Sequence, residues 1–368
     1  MRAERLRRAV LLLLCLFLLP AACRAQRWPE MKKTGELALS YAREFTAEDY
    51  EGGYTLLTVS DGQRLLILPE GKEAPEALDA DIRCVAQPLS GLYMAASSAM
   101  DLVRALGALD AVGMTSTQAK DWTIPEVARR VASDEILYIG KYSAPDFEAL
   151  LEMDCPLAVE STMIWHAPDI KEQIEALGIP VLVERSSYEE SPLARLEWIK
   201  LYGCLLGKRQ EAERCFEESA ARIEAIAGME PVEAAASVFY LNSAGNVVVY
   251  RPGSAAAQMV ALAGGRYVPQ DGAGQGSTMR IGLEDFFAAA GDAPVLLYSA
   301  SIADGVTSRS QLVARAELLA SFRAFREGRV YCMEGSFFQQ PTRAADTIAA
   351  MRRALTGGEP EDVLTRLD

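Results

Sequence analysis

A long helical pattern in the middle of the sequence constrains the fold more than any other feature. Residues 192–227 contain no proline after the first position. Apolar residues recur there at helical spacing, namely Leu193, Leu196, Leu201, Leu205, Phe216, Ile223 and Ile226. We predict one long helix, because ~30 residues at ~1.5 Å per residue span ~45 Å, which is enough to cross from one domain to another.

On both sides of this helix, short apolar runs alternate with helical patterns. The predicted strands lie at residues 82–86, 136–139, 157–159 and 181–183 before it, and at 237–241, 247–250, 295–298 and 330–333 after it. An earlier pair of apolar runs flanks Asp61-Gly62 and predicts a hairpin. Strands separated by helices indicate parallel-type sheets that helices cover on both faces.

The chain has 368 residues, which suggests about two compact domains. We expect an α/β fold of two lobes, joined by one long rigid α-helix, with a ligand cleft between the lobes. The predicted division is a signal peptide at 1–22, a lipid-anchor tether and N-terminal segment at 23–53, an N-terminal lobe at 54–187, a connecting helix at 188–230 and a C-terminal lobe at 231–368.

The N-terminus has the pattern of an export signal. Four arginines occur within the first eight residues, and an apolar run at 9–19 follows that is too short to span a bilayer. Pro20, Ala21 and Ala22 then precede Cys23. The segment resembles a lipoprotein signal that is cut before Cys23, although such signals prefer Leu where Pro20 stands. The alternative is an ordinary secretory signal with an incidental Cys23, and both place the protein outside the cytoplasm.

Composition excludes several classes of function. The formal net charge is −14, and an acidic protein repels phosphate backbones, so we expect no nucleic-acid partner. His166 is the only histidine, which argues against a zinc site of several imidazoles and against most histidine-based catalysis. Apart from Cys15 and Cys23, five cysteines remain, without a CxxC motif, and we expect them to be buried thiols.

Three segments, in order, carry a resemblance to a known class. They are the hairpin around Val59-Ser60-Asp61-Gly62, the run from Val85 to Ser90 that leads into Ala99-Met100-Asp101-Leu102, and Phe147-Glu148-Ala149-Leu150 followed by Pro156-Leu157-Ala158-Val159. With the long connector, this order resembles the helical-linker class of periplasmic binding proteins over about residues 54–355. Cys155-Pro156 is followed by Leu157 where that class has Pro-Asp.

The resemblance implies an extracytoplasmic, membrane-anchored substrate-binding lipoprotein of an ABC importer. It would capture an iron complex (a siderophore or haem) or a cobalamin-like corrinoid and deliver it to the permease. We expect a monomer without enzymatic activity, resident cofactor or metal. One alternative is a chelatase or nitrogenase-like metal-cofactor enzyme on a related two-lobed fold, and another is the binding protein of a zinc or manganese importer.

Loops that follow strands are expected to contact the ligand, because ligands of α/β folds meet the carboxyl ends of strands. The candidate ligand-binding residues are Ser90, Leu92, Tyr93, Met94, Thr162, Met163, Trp165, His166, Tyr250, Arg251, Phe337, Phe338 and Gln339. Arg251 would suit an anionic ligand or form a surface salt bridge. His166 would either ligate haem iron or corrinoid cobalt, or bond the backbone at a helix start.

Two glutamates are candidates for contact with the permease. In the resembling class, each lobe offers an exposed glutamate to arginine pockets of the transmembrane subunits. Glu148 and Glu284 stand at the matching positions, each before a short helix and a strand. A carboxylate accepts two hydrogen bonds from a guanidinium, which would orient the protein on its partner. The alternative is that each glutamate only complements a helix dipole.

Overall fold

The computed structural model describes residues 27–272, 274, 276–299, 305–333, 335–360 and 363–368. The predicted signal peptide, Cys15 and Cys23 lie outside the described residues. The described residues form an α/β fold of two lobes, as predicted.

The first sheet of the N-terminal lobe contains the predicted hairpin. Its strands are β1 Lys33–Glu36, β2 Phe45–Tyr50, β3 Thr55–Val59, β4 Arg64–Leu68 and β5 Ile82–Ala86. They lie in the order β1-β2-β3-β4-β5, antiparallel except for the last pair. Gly62 has a φ of +95° at the turn between β3 and β4, which explains the glycine there. Because β1 and β2 belong to this sheet, a domain boundary at residue 54 divides it.

The second sheet of this lobe is parallel throughout. Its strands are β6 Leu92–Met94, β7 Val112–Thr115, β8 Leu137–Tyr138, β11 Ala158–Ser161 and β12 Val181–Glu184, in the order β12-β11-β6-β7-β8. A small pair, β9 Gly140–Lys141 and β10 Ala144–Pro145, lies beside it in sequence. The helices of the lobe are α1 Ser97–Ala105, α2 Pro125–Ala132, α3 Phe147–Glu152 and α4 Pro168–Ala176. The carboxyl ends of the parallel strands therefore share one edge.

The C-terminal lobe contains one mixed sheet. Its strands are β13 Ala235–Leu241, β14 Val247–Tyr250, β15 Arg266–Tyr267, β16 Thr278–Arg280, β17 Val295–Ser299, β18 Val330–Met333 and β19 Leu364–Arg366. They lie in the order β16-β14-β13-β17-β18-β19, with β15 beside the start of β13. The helices are α8 Ala255–Leu262, α9 Leu283–Ala290, α10 Arg309–Arg315, α11 Arg323–Glu327, α12 Ser336–Gln339 and α13 Ala344–Thr356. Strands β13, β17 and β18 are parallel neighbours.

The connector is helical but is not one continuous helix, so that prediction is wrong in this detail. It consists of α5 Pro192–Glu197, α6 Ile199–Leu205 and α7 Arg209–Ala227. Gly207 adopts a φ of +66° and ends α6, because a right-handed helix cannot continue through that conformation. A Cβ placed on Gly203 would lie 2.6 Å from the Cβ of Ala212. Glycine at this position therefore lets α6 and α7 approach each other closely.

The first two helices of the connector, α5 and α6, are buried and bound to the N-terminal segment. Glu197 has no exposed surface, and its carboxylate accepts hydrogen bonds from the backbone amides of Ser40, Tyr41 and Ala42 at 2.7–3.1 Å. Lys200 lies 3.1 Å from the same carboxylate. A buried charge of this kind is tolerated because all its hydrogen bonds are made.

Candidate ligand-binding cleft

Two adjoining cavities lie between the lobes. The first has a volume of about 880 Å³ and the second about 950 Å³. Both are lined by Ser187 from the N-terminal lobe, Arg195 from the connector and Ser277 from the C-terminal lobe. Because all three parts of the chain contribute, the cavities form one cleft whose size suits a small-molecule ligand.

The C-terminal lobe gives the cleft an aromatic wall. Tyr240, Tyr250, Phe337 and Phe338 line the first cavity. Successive ring centroids lie 6.4, 6.4 and 5.2 Å apart in edge-to-face arrangements. The Tyr250 hydroxyl lies 3.1 Å from Oγ of Ser299. These interlocked rings form an apolar surface that is already in place without a ligand.

The N-terminal lobe contributes a second group of rings beside the cleft. Tyr188 lines the second cavity and packs edge-to-face against Trp165, with centroids 5.6 Å apart. The Arg185 guanidinium lies over both rings, 4.3 Å from Tyr188 and 5.1 Å from Trp165. Its Nε also donates to Glu44 at 2.7 Å. Tyr188 and Trp165 are 50% and 40% exposed, so this surface is accessible to a ligand.

Arg195 occupies the centre of the cleft, where the two cavities meet. Its Nε donates to the carbonyl of Glu189 at 3.2 Å, and its Nη2 donates to the carbonyl of Ser187 at 3.0 Å. Loss of hydration lowers the pKa of this guanidinium, against the smaller opposing influences of Tyr250 and nearby carboxylates. The two carbonyl bonds fix the plane of the guanidinium, so the group is held in place before any ligand binds.

Five of the sequence-predicted residues line these cavities. Thr162 and Arg251 line the second, and Tyr250, Phe337 and Phe338 line the first. Arg251 donates from Nη1 to the carbonyl of Gly272 at 2.9 Å.

Three further predicted residues lie beside the cleft and line neither cavity. Met163, Trp165 and His166 are exposed on a 3-10 helix, Thr162–His166, that follows β11. Trp165 reaches the cleft only through its contact with Tyr188. Ligation of a metal by His166 stays a prediction.

The prediction that Ser90, Leu92, Tyr93 and Met94 form a ligand loop after a strand is wrong in placement. Residues 92–94 are strand β6 itself and are at most 2% exposed. Ser90 precedes β6 and therefore lies at its amino end, away from the edge that meets the cleft. The strand before it, β5, belongs to the other sheet.

Gln339 is also misplaced as a ligand contact, because it joins the two lobes instead. It is 3% exposed, its Oε1 accepts from the amide of Thr123 at 2.7 Å, and its Nε2 donates to the carbonyl of Asp121 at 2.9 Å. We call this contact the lobe junction, formed by Asp101, Arg104, Thr123, Gln339, Gln340 and Thr342. At its other end, Asp101 accepts from the amide and hydroxyl of Thr342 at 3.0 and 2.6 Å.

Sequence reasoning missed several cleft residues. They are Ser187, Tyr188, Arg195, Tyr240, Ser277, Ser299 and Arg315. Ser299 directly follows the predicted strand at 295–298, so the rule that located Thr162 could also have found it. Arg195 carried no such signal, since it lies within a helical pattern.

Glu160 is a buried ionisable group near the cleft, two residues before Thr162. It has no exposed surface, and neither carboxylate oxygen has a hydrogen-bond partner among the described residues. Burial raises the pKa of Glu160 to about 8, because a carboxylate without partners is poorly solvated there. The Tyr93 hydroxyl, on the neighbouring strand β6, likewise has no hydrogen-bond partner among the described residues.

The described residues contain neither a membrane-spanning helix nor a cluster of metal ligands. None of their helices has the length and apolar character required to cross a membrane. None of their His, Cys, Asp and Glu side chains gather in threes or more as a metal site requires.

Comparison with known proteins identifies the class. The family model described as periplasmic binding protein matches residues 94–336, and the chain belongs to this family. An uncharacterized lipoprotein of Methanocaldococcus jannaschii is 23% identical over 297 residues, covering 78% of this chain and 70% of that protein.

Solved structures share the fold. A periplasmic heme binding protein from Pseudomonas aeruginosa matches with a TM-score of 0.59 at 19% identity, covering 76% of this chain and 99% of that chain. A protein of an ABC-type Fe3+-hydroxamate transport system from Saccharomonospora viridis matches with a TM-score of 0.55 at 19% identity. The match covers 74% of this chain and 94% of that chain. The helical-linker class that the sequence resembles is therefore confirmed.

Proposed function

We propose that this protein is the extracytoplasmic substrate-binding lipoprotein of an ABC importer, and that it captures haem, a ferric siderophore or a corrinoid. The observation that carries the proposal is the interlobe cleft, in which an aromatic wall on one lobe faces Arg195 on the connector. A large, flat, partly polar ligand would cover the rings and reach the guanidinium. Similarity to haem-binding and Fe3+-hydroxamate transport proteins supports the same ligand classes.

Binding is favoured over catalysis because the described residues that line the cleft form no nucleophile–base pair. The cavities are lined mainly by hydroxyl, aromatic and arginine side chains. Lipidation at Cys23 would tether the protein to the membrane, and the lipoprotein similar in sequence supports this anchor. The metal-cofactor enzyme remains the alternative, and it would require a bound cluster or a turnover that the binding function does not.

Ligand-dependent stabilisation tests the proposal. The purified protein is heated with haem, cobalamin or a ferric siderophore, and an absorption spectrum is recorded for each mixture. A ligand at about 100 times its Kd stabilises the folded state by ~2.7 kcal/mol, so the true class should raise Tm by several degrees. Failure of all three classes to raise Tm would contradict the proposal. A haem or corrinoid spectrum that changes in His166→Ala would assign that residue as a metal ligand.

A matched pair of variants tests the location of the site. Phe338→Ala removes a 45% exposed ring from the cleft, and Phe287→Ala removes a 37% exposed ring from α9, which lines neither cavity. We expect the first to weaken ligand binding and the second to leave it unchanged. Equal affinities in the two variants would place the ligand elsewhere.

We further propose that Glu148 and Glu284 contact the permease. Both are exposed in the first turn of short helices, α3 and α9, and neither lines a cavity. The double variant Glu148→Ala with Glu284→Ala should keep its ligand affinity and lose binding to the permease, because arginine–carboxylate pairs would be lost. Glu152→Ala with Glu327→Ala is a control with the same charge change. Normal transport by the first double variant would reduce both glutamates to helix-start residues.

A further inference from the structure

Arg195 has no ion-pair partner within the described part of the chain, and the Glu184 and Glu189 carboxylates raise its pKa less than burial lowers it. Its two hydrogen bonds go to uncharged carbonyls, and its Nη1 makes no hydrogen bond to any described residue. None of the described carboxylates forms an ion pair with it. The nearby Glu189 carboxylate instead accepts from the amides of Arg43 and Glu44 and from Nε1 of Trp198, at 2.9–3.2 Å.

A guanidinium without an ion-pair partner is costly in this position. Arg195 is only partly exposed, and loss of hydration lowers its pKa. Removing an ion from water is unfavourable when no opposite charge replaces the water. A protein retains such a group where an incoming anion completes its interactions.

The charged groups described in the wall of the first cavity are positive. Arg195 lines it, and no Asp or Glu is among its described lining residues, whereas Glu189 and Glu190 line the second cavity. The remaining polar groups include the neutral hydroxyls of Tyr250, Ser277 and Ser299. The whole chain carries −14, so a locally positive cavity runs against its overall charge. Such a cavity attracts an anion while the surrounding surface repels one.

We propose that the ligand carries at least one carboxylate, and that Arg195 binds it through Nη1 and the remaining Nη2 hydrogen. The inference deepens the proposed function and rests on it. The aromatic wall holds the body of the ligand, and the guanidinium recognises its acidic group. The substrate class is thereby narrowed to acidic iron complexes, either haem with its propionates or a ferric carboxylate chelate. Neutral corrinoids and neutral trihydroxamates fit the cleft less well.

Matched ligand pairs test the assignment and distinguish the two acidic sources. One pair is haem and haem whose propionates are converted to amides. The other is ferric citrate and a neutral ferric trihydroxamate. Each ligand is titrated into the wild type, Arg195→Gln, Arg195→Lys and Arg214→Gln. Arg214 is a suitable control, because its side chain is 63% exposed on α7 and lines neither cavity.

Arg195→Gln should lower the affinity for the acidic member of the binding pair about 10- to 100-fold, the range that one charge-assisted hydrogen-bond pair supplies. Arg195→Lys should lose less, since it keeps the charge. The neutral ligand should bind weakly and equally to all four proteins. Arg214→Gln should match the wild type throughout.

The stability of the ligand-free variant gives a second readout. Arg195→Gln loses the two carbonyl hydrogen bonds as well as the charge, so its Tm is compared with that of Arg195→Lys, which loses the same hydrogen-bond geometry and keeps the charge. A Tm clearly lower in Arg195→Gln than in Arg195→Lys would overturn the inference, since it would mean that the protein already stabilises this charge. Wild-type protein that binds acidic and neutral ligands equally, or an unchanged affinity in Arg195→Gln, would also overturn it and leave the proposed function standing. If none of the four ligands binds, both the inference about Arg195 and the proposed function are contradicted.

Discussion

The two lobes face each other at two places, and their polar groups are arranged in opposite ways. At the lobe junction, the fully buried Asp101 accepts four hydrogen bonds, from Arg104 and Thr342. In and beside the cleft, Arg195 has no ion-pair partner and Glu160 has no hydrogen-bond partner among the described residues. Satisfied groups fix one geometry, whereas unsatisfied groups have capacity for something else. The junction thus sets the relation of the lobes, and the cleft is left ready to bind.

The largest expected effect of this difference is on the pH dependence of stability, through Glu160. Its pKa is about 8 when folded and near 4.5 when unfolded, so the folded state binds more protons between these values. The contribution of Glu160 to the free energy of unfolding is therefore fully present below about pH 4.5. It falls by roughly 3–5 kcal/mol as the pH rises through about 8. In Glu160→Gln this loss should disappear. Urea unfolding at pH 5 and pH 8 measures it.

An exposed glutamate provides the control for that measurement. Glu148→Gln, in the same lobe, should leave the difference between the two pH values as it is in the wild type. An identical pH dependence in the wild type and Glu160→Gln would mean that the buried carboxylate is solvated or paired. Glu160 would then not differ from the satisfied polar groups of the lobe junction.

A smaller effect is expected at the junction, from Asp101→Ala. The change leaves Arg104 and the Thr342 amide without their acceptor. Arg104 is one-third exposed, which reduces the penalty, and we expect a loss of roughly 2–3 kcal/mol in the free energy of unfolding. Asp110→Ala, which removes a carboxylate whose side chain is 89% exposed, should cost under ~0.5 kcal/mol. Comparable losses in both variants would remove the distinction drawn for the junction.

The smallest effect is expected at the edge of the junction, from Gln340→Ala. Its Nε2 donates to the carbonyl of Thr123 at 2.8 Å. Loss of one neutral hydrogen bond in a partly buried position costs about 1 kcal/mol. Because the bond joins the lobes, the variant should also change ligand affinity, whereas Gln173→Ala, at an exposed position of α4 that lines neither cavity, should not. Unchanged ligand affinity in Gln340→Ala would show that the junction does not influence the cleft.

Much of the fold could be predicted because local rules were sufficient there. The Asp61-Gly62 turn and the alternation of apolar runs led to the correct hairpin and lobes. The connector was predicted as one helix because its apolar spacing continues across Gly207, and periodicity does not reveal a left-handed backbone conformation at one glycine. The break depends on the packing of α6 on α7, which is a tertiary contact.

The cleft was predicted only in part, for a similar reason. The sequence locates Thr162 because the strand before it, β11, has a clear apolar pattern. Strand β6 has only three residues, and its sequence predicts a loop. Tyr250 ends β14, which is antiparallel to β13, so the rule about carboxyl ends of parallel strands does not explain its position. Arg195 required knowledge of which side of α5 faces the cavities, and spacing alone does not determine this.

The attachment of the N-terminal segment to Glu197 has a consequence for the order of folding. The amides of Ser40, Tyr41 and Ala42 find their acceptor 157, 156 and 155 residues later in the chain. During synthesis from the N-terminus, the first sheet therefore lacks this support until the connector has emerged. Contacts so distant in sequence form slowly. The N-terminal sheet would thus complete its hydrogen bonding only after more than half of the chain has been synthesised.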